Sequence, residues 1–106
     1  MPIAKNWDAK AINGMAGNEL VVSGEANTGL LTVMPDLKKH VPQGINPAVL
    51  LLDLIGASDI LPEHLQPVQY NEKIGRLDQY SEVSIFYQDK QIACIKVIMA
   101  PVNVEG

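Results

Sequence analysis

Two histidines, one cysteine and twelve acidic residues are the groups in this 106-residue chain able to carry acid–base, nucleophilic or metal chemistry. A zinc or general-base role for His40 or His64 needs carboxylates beside it, such as Asp36, Asp53, Asp59 or Glu63. Neither histidine falls in an H-x-x-x-H or H-E-x-x-H spacing, the pattern that puts two imidazoles on one helix face. His40 follows Lys38 and Lys39, whose charges repel a cation. Both histidines therefore read as solvated loop residues, and no metal or other cofactor is expected. Asp53, Asp59 and Glu63 lack the alternating oxygens and terminal bidentate glutamate of a calcium loop.

Cys94 is a nucleophile only if a base draws off its proton, and no such base is placed beside it. It reads as an inert thiol on a sheet face. The glycine-bearing stretches 14–17 and 24–29 lack the lysine and following helix of a phosphate cradle, and Glu25 would repel phosphate, so both read as turns. Lys38-Lys39-His40 is the one basic cluster, weakened by Asp36; a solvated loop is the simpler reading and an anionic protein partner the other. Asp53 interrupts an apolar run, so its carboxylate must reach solvent or a partner.

These residues must be positioned by short elements, because apolar segments alternate with Gly, Pro and Asn clusters every eight to twelve residues or so. Segment 7–12 reads as a strand ending at Asn13-Gly14. In 19–25, Leu20 and Val22 alternate with Glu19, Ser23 and Glu25, as in a strand with one wet face. Segment 30–34 is taken as its antiparallel partner. Three prolines and Gly44 make 35–47 a long surface connection, with at most one helical turn over 36–40. Segment 47–55 has the Asn46-Pro47 start and Gly56 stop of a helix, but its length, apolar faces and neighbours favour a central strand. In 68–74, Val68, Tyr70 and Ile74 alternate with Gln69, Asn71 and Lys73.

The final pair, 81–87 and 92–100, carries register information. Its apolar faces coincide when Ile85 meets Ala93, Val83 meets Ile95 and Phe86 meets Ile92, which also sets Glu82 opposite Lys96. That register requires a three- or five-residue loop. Seven short, mostly antiparallel strands in one domain over 1–106 resemble an immunoglobulin-like β-sandwich in size and rhythm, without its cysteine–tryptophan–cysteine signature. The fold class is all-β, and the alternative is α+β with a short helix at 47–55.

Composition narrows function by exclusion. A net charge of -4 and five aromatics (Trp7, Tyr70, Tyr80, Phe86, Tyr87) disfavour a nucleic-acid binder. No apolar run approaches the roughly 20 residues of a membrane helix. A single cysteine and the absence of a signal-like start point to a cytoplasmic protein. The expected role is a non-enzymatic interaction module whose partner is another protein or a second copy of itself. It would present the 35–47 loop, through Leu37, Lys38, Lys39, His40 and Val41, or a sheet edge. A homodimer would use the edge strands or an apolar outer face of Phe86, Ile92 and Ile98. The alternative is a small-molecule binder or small enzyme with a site near Asp53, His64 and Tyr70.

Overall fold

The computed structural model describes residues 4–14, 17–29, 34–58 and 64–99. In strand β2 (Gly17–Asn27), Leu20, Val22, Gly24 and Ala26 are buried and alternate with more exposed residues, the period of a sheet with one face on a core. Two neighbours flank it, the antiparallel strands β1 (Ala4–Gly14) and β5 (Leu65–Ile74). Both edges of β2 are thereby occupied, which overturns its expected pairing with 30–34; residues 30–33 lie outside the described residues.

The second sheet is organised around β4 (Val49–Ile55), which lies between β3 (Asp36–Lys39) and β6 (Glu82–Tyr87), with β7 (Lys90–Lys96) beyond. Segment 47–55 is thus a strand from Val49 onward and not a helix. Leu50, Leu52 and Leu54 point to the core, and the opposite face is apolar at Leu51 because Gly44 of the preceding loop lies over that side chain. The Asn46-Pro47 chemistry serves a turn: Asn46 Oδ1 accepts from the Ala48 N–H at 2.9 Å, and its carbonyl accepts from the Val49 N–H at 3.2 Å. No helical turn forms over 36–40. Leu37 supplies one inward apolar residue between charged neighbours, enough for a short edge strand, and Pro35 stands just outside it.

The order is β5-β2-β1-β8 in the first sheet and β3-β4-β6-β7 in the second, with β8 (Ile98–Met99) making eight strands among the described residues and not the seven expected. The all-β class and two layers agree with the sequence reading. The expected immunoglobulin-like arrangement is not established, since that fold has antiparallel sheets and here β4 runs parallel to β6 and β1 parallel to β8. The single strand expected over 92–100 is divided: after Lys96 the chain leaves the second sheet and β8 joins the first, beside Lys10 and Ala11.

The β6–β7 register is as expected at Glu82–Lys96, Val83–Ile95 and Ile85–Ala93. The loop is not. It is a two-residue turn at Gln88 and Asp89, with φ of 52° and 66°, and the odd residue is taken up by a bulge that pairs Phe86 with Gln91 instead of Ile92. Between the sheets, Ala9, Ala11, Leu20 and Val22 of the first meet Leu50, Leu52, Val83 and Ile85 of the second in one buried cluster.

The β1–β2 pair also bulges, between Lys5 and Asp8, where Asn6 takes a φ of 59°. Trp7 thereby lays its six-membered ring over Gly24, where a Cβ would overlap it. Gly24→Ala is expected to destabilise the fold by about 1–3 kcal/mol through overpacking. Chemical denaturation checks this, and the cost should shrink in a Trp7→Leu background, because the smaller side chain vacates the contact.

Candidate functional site

His40 is the first residue after β3, and its backbone N–H still donates to the Leu51 carbonyl at 2.9 Å. Its Nδ1 lies 2.8 Å from Asp53 Oδ1, and its ring stacks on Phe86 with centroids 5.5 Å apart. Asp53 therefore has its partner. Register explains the meeting: Asp53 faces outward between Lys38 on β3 and Phe86 on β6, while Leu51 faces outward in the row that His40 enters. An imidazole leaning along that face reaches both the carboxylate and the aromatic ring.

Beyond His40 the chain departs from β4, and Gln43 supplies what a continuing strand would have given. Its Oε1 accepts from the Leu51 N–H at 3.0 Å, and its Nε2 donates to the Leu51 carbonyl at 2.9 Å and also to the His40 carbonyl. The Asn46 turn fixes the far end. The 40–48 loop is thus fastened at both ends, while Val41 is 84% exposed and Ile45 wholly so.

A second polar group lies at the opposite face of the same edge. Tyr70 and Glu72 share the inward face of β5 with Val68 and Ile74, as their pairing with Val22 and Leu20 requires. Glu72 accepts from the Tyr70 hydroxyl at 2.6 Å and the Tyr80 hydroxyl at 2.8 Å, and Lys39 Nζ stands 3.6 Å from Glu72 Oε1. Burial pushes both phenols above their ordinary pKa, reinforced by the hydrogen bond to Glu72 and by its charge.

The residues expected to form one presenting loop are therefore distributed. Leu37 is buried in the core, Lys38 is exposed on the outward face of β3, Lys39 points inward to Glu72, His40 is clasped by Asp53, and Val41 alone projects. Asp53, His64 and Tyr70 do not converge. Asp53 is on the outward face of the second sheet and Tyr70 on the inward face of the first. His64 is held by its backbone, its N–H donating to Asn27 Oδ1 at 2.7 Å and its carbonyl accepting from the Thr28 N–H at 3.0 Å. Nor is there one apolar face of Phe86, Ile92 and Ile98. Phe86 lies under His40, Ile92 packs on the core cluster, and Ile98 is exposed on the other sheet. Cys94 is a free, exposed thiol, and Asp59 and Glu63 lie outside the described residues.

Glycine placement corrects both turn readings in part. Gly14 and Gly17 face each other across the ends of β1 and β2, with residues 15–16 between them outside the described residues. Gly24 is in mid-strand, so the 24–29 stretch is a strand end and not a loop. Glu72 was the residue missed, although it occupies the apolar phase of the Val68, Tyr70, Ile74 alternation, and a charge in that phase is the signal. Among the described residues no group of three metal-ligating side chains and no enclosed pocket is present, and no helix is long and apolar enough to cross a membrane.

No protein-family model matches the chain, and neither a curated protein nor a solved structure is significantly similar to it.

The raised phenols make stability pH-dependent in one direction. A free tyrosine ionises near pH ~10, so above that pH the unfolded chain loses phenolic protons that the folded state retains. The stabilisation is complete below pH ~10 and falls as pH rises further. Thermal melting from pH 8 to 11 should show a steeper alkaline decline for the native chain than for Tyr70→Phe, and equal slopes would refute the assignment.

Proposed function

We propose that this chain is a protein-interaction module that presents the loop between β3 and β4 to another protein. The observation that carries this reading is the pairing of exposed aliphatic side chains with a fastened backbone. Val41 and Ile45 stand in solvent while Gln43, between them in sequence, holds its amide on both backbone groups of Leu51. Ordering a loop opposes binding, so a loop already held by its own polar side chains loses less on association. Apolar residues held out in this way suit an apolar recess on a partner, with exposed Lys38 beside the loop's root as an additional polar contact.

The alternative of a small-molecule site draws no comparable support, since Asp53 and Tyr70 face opposite sides of different sheets. The exposed thiol of Cys94 suits a reducing compartment and so supports a cytoplasmic location.

The test compares proteins retained from native cell extract by the native chain and by the Val41→Ser, Ile45→Ser double variant, after circular dichroism confirms that both are folded. Removing two side chains whose burial contributes about 1–2 kcal/mol each should weaken the partner by roughly 30- to 700-fold. At least one retained protein should disappear. A self-association mode would appear as a lower solution mass of the variant, and unchanged retention with unchanged mass would sink the reading.

A further inference from the structure

Among the described residues the four terminal strands of the two sheets sit at two margins of the sandwich, and the outer side of a terminal strand is where strand addition occurs. At one margin β7 and β8 are consecutive in sequence, and Val97 between them donates its N–H to the Ser81 carbonyl at 2.9 Å. The chain itself stitches the sheets there. At the other margin β3 and β5 approach each other without consecutive chain, and Lys39 and Glu72 meet in the seam.

Both residues point inward by register. Lys39 pairs with Leu52 and Glu72 with Leu20, and both partners are fully buried. The Glu72 side chain is 17% exposed, against 44% for Lys39, so the acid is the more deeply committed of the two. A well-packed apolar pair in such a place is often at least as stabilising as an ion pair, so stability alone does not explain these residues. Inward-pointing charges on terminal strands are instead a device against edge-to-edge pairing. A strand added beside β5 or β3 would insert its own inward side chains between Lys39 and Glu72, parting the charges and removing water from the carboxylate. Tyr70 and Tyr80 hold each carboxylate oxygen in place, so Glu72 is kept from swinging out of the seam.

We propose that the Lys39–Glu72 pair, clamped by Tyr70 and Tyr80, guards the β3–β5 seam against strand addition by a second copy of this chain.

Light scattering over a concentration series compares the native chain with Lys39→Leu/Glu72→Leu, with the closer-shaped Lys39→Met/Glu72→Gln, and with the charge-keeping Lys39→Arg. The two neutral variants should gain a concentration-dependent species of at least twice the native mass, with slowed amide exchange along β5 or β3, while Lys39→Arg follows the native chain. If the leucine variant fails to fold, the methionine–glutamine variant decides. Native mass in a folded neutral variant across the series overturns the proposal, as does a heavier species whose β3 and β5 amides exchange as in the native chain.

Discussion

Two apolar faces held against each other are the interaction on which everything else in this protein depends. Leu20 and Val22 on one sheet and Leu50, Leu52, Val83 and Ile85 on the other are all fully buried. Their removal from water supplies the main favourable contribution to a fold in which no disulfide is described and no helix is present among the described residues. Because side chains alternate along a strand, this burial fixes register absolutely: a one-residue slip in β4 would exchange three leucines for Leu51, Asp53 and Ile55. The bulges are consequences of the same demand. One lets Ile85 keep Ala93 after a turn of the wrong parity, and the other brings Trp7 over Gly24.

A sandwich held by its faces must still satisfy its polar groups where strands stop. Asn27 shows how this is done at the end of β2. Its buried side chain donates to the Ser58 carbonyl at 2.8 Å and accepts from the His64 and Gly29 N–H groups, while its backbone carbonyl accepts from Ser58. Gln43 does the same at the end of β3 with one carboxamide. In each case a side-chain amide, which offers both donor and acceptor, replaces backbone pairing that the chain has ceased to provide. Asp53 and Glu72 apply the charged version of this solution, one on each side of the second sheet's β3 edge, with His40 and with two phenols.

Legibility in the sequence follows the range of the interactions. Alternation in β2, β5 and β6 is local, so the strands and even the Glu82–Lys96 pairing could be read from residues near one another. The parity of the β6–β7 loop is not legible, because Gln88 accepts a positive φ that its side chain does not advertise and a bulge at Ile92 leaves no mark in the alternation before it. Strand β3 was hidden by the prolines around it and by having only one inward apolar residue, Leu37. The candidate site was legible in its demand, that Asp53 needs a partner, but not in its answer. His40 lies thirteen positions away, and only the antiparallel pairing of β3 with β4 makes it a neighbour.

The polar residues thus divide by the face they occupy and not by their chemical type. Lys39 and Lys38 are adjacent in sequence and identical in chemistry, yet the strand turns one to Glu72 in the seam and the other to water. The same alternation separates Leu37, committed to the core, from Val41, released to the surface once the strand has ended. A run that reads as one basic, apolar-flanked cluster therefore contains a core residue, a solvent charge, a seam charge and a clasped imidazole in succession. What remains for recognition is the part beyond the clasp, and it is the clasp, with Gln43 behind it, that gives two exposed aliphatic side chains a fixed place from which to act.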